Sequence, residues 1–335
     1  MPVTYLFPTS NASKELSDPD YDLLSSMIDS MDEDVDSWCT SSIACCDNCF
    51  DEYSRKWPLA YTRAHGIRYQ NTPARLFYAS AGRVQGTVTE SEFLRLLPYI
   101  ACPNCGGSLG PNLFAFELPF DPADFEADLE RLAELAKTAP FLVLSDEFAR
   151  RIRDEITAFC LVTEQALPTG EFFRGRDVDA SSAASSDFGA PPASKTKEGR
   201  YNHAGSPVLY LADTYETCWE ECRRPSDPFS IGILEFTKPV KILDLSEPDE
   251  MKGVLAPVMY SNLTAAPSEG GGWDRPEYVL TRFVADCARL AGMDGIRYRS
   301  TRTGKGTNTM LLKGEAAMDY IRVVRVEKPV APSRA

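Results

Sequence analysis

A chain of 335 residues, 43% of them apolar, is long enough for about two domains with ordinary cores and too apolar to be disordered throughout. Its formal net charge of −14 sets most of its surface against nucleic acid and anionic membranes, leaving room only for a local basic pocket. No apolar run approaches the roughly 20 residues that cross a bilayer, and residues 1–21 lack a basic stretch followed by an apolar one, so a cytoplasmic address without a membrane partner is expected.

Residues 1–38 form an acidic leader. Lys14 is its only basic residue, and Asp29–Asp36 concentrates the charge. Composition predicts a solvated tail with a short helix near residues 21–31.

Residues 39–112 carry six of the ten cysteines. Without a secretory signal the thiols are expected to be reduced, and clustered thiols of this kind read as metal ligands rather than disulfides. Cys46-Asp-Asn-Cys49 and Cys102-Pro-Asn-Cys105 are both C-x2-C, a spacing at which one tight turn offers two sulfurs. Gly106 and Gly107 permit the positive φ that often follows such a turn. Four sulfurs close a tetrahedral site with no open position. A structural Zn2+ on Cys46, Cys49, Cys102 and Cys105 is therefore expected, with Cys45 as the alternative to Cys46. Cys39 and Cys45 are otherwise free thiols. Between the two pairs, Ala74–Ala79 is predicted as a strand. Thr89-Glu-Ser-Glu92 opens a capped helix that bears Phe93, Leu94, Leu96 and Leu97.

Residues 113–165 read as a helical spacer. Asp121 caps a first helix with Pro122 at its first position, and Phe125, Leu129, Leu132 and Leu135 recur at helical spacing. A second helix starts near Ser145 and carries Phe148, Ile152, Ile156 and Phe159.

Residues 166–330 alternate β-rich runs with helical patterns, which gives an α+β domain. The runs are Val208–Leu211, Ser230–Phe236, Val240–Leu243, Gly295–Arg299, Asn308–Leu312 and Tyr320–Val326, and the helices are near 214–223 and 275–291. A Ser/Ala/Pro-rich stretch at 180–194 is expected to be a lid or an unstructured loop. The core is expected to hold Trp219, and His203 is expected on the surface.

Three features of this domain are hard to explain as packing. Phe173-Arg174-Gly175-Arg176 and Gly199-Arg200-Tyr201-Asn202 set arginines beside glycines, and guanidinium forks suit a diphosphate. Tyr210-Leu211-Ala212 is followed by Glu221, late on a helix. Tyr298-Arg299-Ser300 ends a strand and leads through a Gly-rich turn to Asn308. That turn is not a P-loop, because Lys305 is followed by Gly306 rather than by Ser or Thr. The Gly270–Gly272 run lacks the strand-to-helix context of a phosphate loop and is read as a turn.

Taken in order, F-R-G-R, G-R-Y-N-x-x-G, Y-L-A followed by E-E, D-G-I-R-Y-R-S and G-T-N resemble the RES family, named for an arginine, a glutamate and a serine. The matching positions are Arg200, Glu221 and Ser300. The Cys46–Cys49 segment also resembles the start of a module that precedes RES domains in some proteins. The resemblance implies an ADP-ribosyltransferase-like split β core around an NAD pocket. It also implies a toxin that consumes NAD, with a cognate antitoxin or immunity protein as partner, acting in the cytoplasm of its own cell or of a target cell.

Cleaving the nicotinamide–ribose bond needs positive charge stabilised at the ribose, and the leaving group needs no general acid. The resemblance thus assigns Glu221 to the ribose, with neighbouring Glu220 as its local rival. Arg200, with Arg174 or Arg176, is assigned to the pyrophosphate, and Tyr210 and Tyr201 to the nicotinamide or ribose face. Ser300 and Asn308 stand near the nicotinamide ribose. Water, phosphate and a macromolecule stay open as acceptors. The adjacency of Glu220 and Glu221, in place of the E-x-E of many transferases, favours the first two. The reading from another class is a zinc-ribbon adaptor with an inactive RES domain.

Overall fold

In the computed structural model the acidic stretch that composition reads as a tail is a helix, Asp18–Cys39. Leu24, Met27, Ile28, Met31 and Val35 recur at helical spacing along it and are all buried. Asp18, Asp22, Asp29, Glu33 and Asp36 are exposed, and the inner face packs on the Gly82–Thr87 helix. One of the leader's acids also caps that partner: Asp34 Oδ2 accepts from the backbone N–H groups of Arg83 and Val84, both at 3.0 Å.

The structure describes residues 6–39, 42–58, 60, 71–116, 118–223, 228–246, 253–261, 276–300 and 306–329. They fall into two compact units, Met1–Pro122 with Tyr260–Asn262, and Ala123–Met259 with Leu263–Ala335. Gly270–Gly272 and Lys305 lie outside the described residues, as does the side chain of Cys39. Among the described residues no helix is long and apolar enough to cross a membrane.

In the first unit β1 (Phe7–Pro8) pairs with β4 (Ile100–Ala101), and β2 (Ile43–Cys45), β5 (Asn112–Ala115) and β3 (Asn71–Pro73) form a small sheet in that order. The strand predicted at 74–79 is instead a helix, Ala74–Ser80. Ala74, Phe77 and Ala81 are buried while Arg75 and Leu76 are exposed, a period of three to four rather than two. The capped helix is present as Glu90–Leu96, with the reciprocal Thr89–Glu92 capping box.

The second unit contains the Pro122–Thr138 and Glu147–Val162 helices from Ala123 onward. Glu147–Val162 packs on the Pro276–Ala291 helix, and the Cys160 thiol donates to the Ala291 carbonyl at 3.1 Å.

Among the described residues the sheet of this unit has seven strands, in the order β12-β8-β6-β7-β11-β10-β9. They are β6 (Phe172–Arg176), β7 (Leu209–Ala212), β8 (Ser230–Phe236), β9 (Ile242–Asp244), β10 (Gly295–Arg299), β11 (Thr307–Leu311) and β12 (Ile321–Glu327). β8 is buried at all but one position, as a central strand requires. The β6–β8 ladder runs over five residue pairs and the β7–β11 ladder over four, whereas β6 and β7 meet only at Phe173 and Ala212. The sheet is thus two halves, β12-β8-β6 and β7-β11-β10-β9, hinged at one residue pair, which is the expected split α+β core. Phe172, Leu209, Leu211, Leu234 and Leu311 form a core on one side of it together with Phe188. Phe188 comes from the 180–194 stretch and is fully buried, so that stretch is folded onto the sheet rather than loose.

Candidate active site

Where the two half-sheets part, a cleft of about 450 Å³ opens. Arg174, Arg176, Lys197, Arg200 and Arg223 line it, and among the described lining residues Glu221 is the one acid. An acidic protein has therefore gathered a basic pocket around a single carboxylate, a field that attracts an anionic ligand.

Glu221 ends the Tyr215–Glu221 helix, which starts where Thr214 Oγ1 accepts from the Thr217 N–H at 3.0 Å. Glu221 Oε1 accepts from the Ser300 hydroxyl at 2.8 Å and from the Asn308 side-chain amide at 2.9 Å. Ser300 follows β10, and Asn308 sits on β11 opposite both Tyr298 and Ala212. Both donors are buried. Two neighbouring strands thus fix the carboxylate's orientation. Glu220, the neighbour on the helix, does not line the cleft.

Arg200 lies in a turn closed by the Gly199 N–H bond to the Asn202 carbonyl at 3.0 Å. The Tyr210 hydroxyl donates to Asn202 Oδ1 at 2.9 Å and accepts from the Tyr201 N–H at 3.3 Å. Burial pushes the Tyr210 phenol up to about 12, so it stays a hydrogen-bond donor. From behind, the Thr281 hydroxyl donates to the Arg200 carbonyl at 2.6 Å and Arg282 Nε to the Gly199 carbonyl at 3.0 Å. The guanidinium groups of Arg200 and Arg282 both lie over the Tyr278 ring, at 5.9 and 5.4 Å. Asn202 ends the G-R-Y-N motif, whereas Tyr278 and Arg282 carry no motif signal. Their part in the site is visible only once the Pro276–Ala291 helix is placed.

Two expected ligand contacts have other surroundings. Tyr201 is fully buried and does not line the cleft. Its ring packs on that of Tyr298 with centroids 4.7 Å apart, so it supports the site from beneath and offers no face for stacking. Arg174 is also buried. It donates to the Tyr210 carbonyl at 2.6 Å and the Gly189 carbonyl at 3.0 Å, while Arg176 donates to the carbonyls of Gly189 at 2.7 Å and Asp187 at 2.8 Å. Both arginines touch the cleft, yet three of these four bonds hold the 180–194 stretch against β6 and the fourth ties β6 to β7. Burial, with the like charge of Arg176, holds the Arg174 pKa well below its ordinary value. Gly175 between them is required by space: a Cβ there would lie 2.6 Å from Cys222 Sγ.

His203 lies on the surface and pairs with Asp286 at 2.8 Å, away from the cleft. Trp219 is half-buried rather than a core residue.

In the first unit Cys46, Cys49, Cys102 and Cys105 bring their four sulfurs within 4.8 Å of one another. The Cys46–Cys49, Cys46–Cys105 and Cys49–Cys102 sulfur pairs are 3.7, 3.7 and 3.6 Å apart. A tetrahedral ion with metal–sulfur bonds of about 2.3 Å sets sulfur–sulfur distances of about 3.8 Å, so the donor set fits zinc. Gly106 has φ 70° and donates its N–H to the Cys102 carbonyl at 2.8 Å, closing the second knuckle. Asp47 braces the first knuckle, accepting from the Asn112 side-chain amide at 2.6 Å. Cys45 is buried outside this cluster, so Cys46 is the member from that pair.

Residues 173–331 match the family model described as the RES domain. Among solved structures the chain is similar to a chain of the M. tuberculosis MbcT–MbcA toxin–antitoxin complex. The likeness has 12% identity and a TM-score of 0.35, over 54% of this chain and 94% of that one. No curated protein matches.

Proposed function

Residues 173–331 form a RES domain, and from that premise we propose that the chain is an NAD-consuming enzyme that cleaves the nicotinamide–ribose bond and releases nicotinamide. The observation that carries this reading is the single carboxylate of Glu221, gripped by Ser300 and Asn308 in an otherwise basic cleft. Nicotinamide leaves as a neutral molecule from a positively charged ring, so the bond breaks without a proton donor. Charge then builds on the ribose. A carboxylate whose orientation is already fixed stabilises that charge without reorganising. Arg200 and Arg176, with Lys197 and Arg223 on the same walls, hold the pyrophosphate. Tyr210 sets the turn that carries Arg200.

Water or phosphate is the acceptor in this reading. Glu220 does not line the cleft, so no second acid from that pair stands ready to activate a macromolecular acceptor. ADP-ribosyl transfer to a macromolecule is the second reading. An inactive adaptor is disfavoured by the intact Arg200, Glu221 and Ser300 set. The four-cysteine cluster holds a structural Zn2+ in this proposal. A toxin of this kind acts beside a cognate antitoxin or immunity protein.

The test is NAD consumption by purified protein, wild type against Glu221→Gln, with and without phosphate and with products resolved by chromatography. Nicotinamide release that is lost in the variant supports the reading, and the ribose product names the acceptor. Undiminished turnover in Glu221→Gln, with loss in Glu220→Gln, overturns the assignment.

A further inference from the structure

Two cysteines that the proposed reaction does not use, Cys218 and Cys222, line the cleft beside Glu221. They are four residues apart, so they share one face of the helix. Each thiol perturbs the ionisation of the other. Cys218 is buried and Cys222 half-buried, so a reagent entering the cleft meets Cys222 first. The neighbouring Cys218 thiol holds the Cys222 thiol below its ordinary pKa, with Arg174 and Arg176 acting in the same direction against burial and Glu221. The Cys218 thiol is pushed up, first by the Cys222 thiol beside it and then by burial. One sulfur is therefore primed as a nucleophile and the other kept as the proton-bearing partner. β6 walls Cys222 on the Gly175 side. Cys222 also caps the helix, and Arg223 after it has a φ of 60°, so the last turn has little helix beyond it to resist distortion.

We propose that Cys218 and Cys222 form an oxidation site at which a hydroperoxide makes a disulfide that draws Glu221 off Ser300 and Asn308. The Cys222 thiolate attacks the peroxide, the O–O bond breaks, and the products are a Cys222 sulfenic acid and hydroxide. The Cys218 thiol then attacks that sulfur. An S–S bond forms, and the sulfenic oxygen leaves as water with the Cys218 proton. The two thiols lose two electrons, and hydrogen peroxide gains them. Residues one helical turn apart have Cβ atoms about 5–6 Å apart, whereas a disulfide holds them at about 3.8 Å. The turn that must deform to close that gap carries Glu221. The effect on turnover rests on the NAD-cleaving reading. The sulfur chemistry does not.

The full-length protein is treated with hydrogen peroxide, alkylated, digested and analysed by mass spectrometry. NAD turnover and amide exchange across residues 215–223 are followed before oxidation, after it, and after dithiothreitol. The expected result is a peptide two hydrogens lighter that links both cysteines, a loss of turnover of about tenfold or more, and faster exchange, all reversed by reduction. Cys222→Ala, compared with its own untreated rate, should lose the reversible response, and Cys218→Ala serves if that variant does not fold. This control separates the pair from the four-cysteine cluster, which peroxide also attacks. Oxidation of Cys222 alone, an equal response in the variants, or a crosslink with unchanged exchange and turnover overturns the proposal. If neither form consumes NAD, the proposed function fails, and the crosslink and the exchange still decide this site.

Discussion

The Ser300 hydroxyl donates a 2.8 Å hydrogen bond to Glu221 Oε1, joining residues 79 positions apart in sequence. The Asn308 amide donates to the same oxygen at 2.9 Å. A helix end and two strands thus converge on one atom, and the carboxylate's direction is set before any ligand arrives.

Removing one of these donors should cost turnover rather than folding. Ser300→Ala is expected to lower kcat by about tenfold while KM for NAD changes by no more than about threefold, since Asn308 still holds the carboxylate. The double variant with Asn308→Ala should differ from the product of the two single losses, because both donors act through one group. Steady-state kinetics with a melting curve for each variant checks this. A Ser300→Ala protein with unchanged kcat would remove the serine from the mechanism.

Arg174 and Arg200 both line the cleft, and their surroundings predict opposite phenotypes. Arg174 is buried against the carbonyls of Tyr210 and Gly189. Arg174→Ala takes the Arg174 donor from the Tyr210 carbonyl and leaves the Gly189 carbonyl to Arg176, and is expected to lower stability by about 2–4 kcal/mol. Arg200→Ala should melt like the wild type within about 1 kcal/mol and raise KM for NAD by about tenfold. Urea unfolding and initial-rate kinetics on both proteins separate the two roles. An Arg174→Ala protein of wild-type stability and raised KM would return that residue to the ligand.

Much of this site was legible because motifs at strand ends survive as short words. Glu221 follows Tyr210 at a spacing that spans one strand and a short helix, and Ser300 and Asn308 flank a strand pair. What was not legible depends on distant partners. Arg174 beside Gly175 reads as a ligand contact, but its acceptors lie 36 and 15 residues away. Tyr201 follows Arg200 directly, and only the closure of the 199–202 turn decides which of the two faces the cleft. The leader misled for another reason: its charges dominate composition, while five apolar residues spaced for one helix face decide its burial.

The buried hydroxyl of Tyr201 has no hydrogen-bond partner among the described residues. Tyr201→Phe is therefore expected to keep NAD turnover within about twofold and stability within about 1 kcal/mol. A thermal melt and initial rates test this. A KM raised tenfold or more by losing the hydroxyl alone would show that the phenol reaches the ligand after all.

The four-cysteine cluster predicts one tightly held metal per chain. Protein purified under reducing conditions without chelator should carry about one equivalent of zinc, and Cys102→Ser should lose it. Because the knuckles follow β2 and β4 and Asp47 ties one of them to Asn112, metal loss is expected to loosen the first unit. Hydrogen exchange should then rise at residues 43–49 and 100–115. Less than half an equivalent of zinc, with exchange unchanged in Cys102→Ser, would rule out a structural metal.

Asp32 carries a pH dependence of opposite sign to the usual carboxylate. Burial, helped by Asp29, raises its pKa from 3.8 to about 6, against the Leu6 N–H bond that lowers it. The folded state therefore binds this proton more tightly than the unfolded chain does. The stabilisation this gives is fully present below pH 3.8 and is lost as pH rises through about 6. Asp32→Asn stays neutral at every pH and keeps an oxygen to accept from Leu6. It should melt above the wild type at pH 8, by an amount on the order of 1 kcal/mol after allowance for solvent screening, with the difference gone near pH 4. Paired melts at pH 4, 6 and 8 test this, and a gap that stays constant across that range would mean that the charge on Asp32 is not what burial opposes.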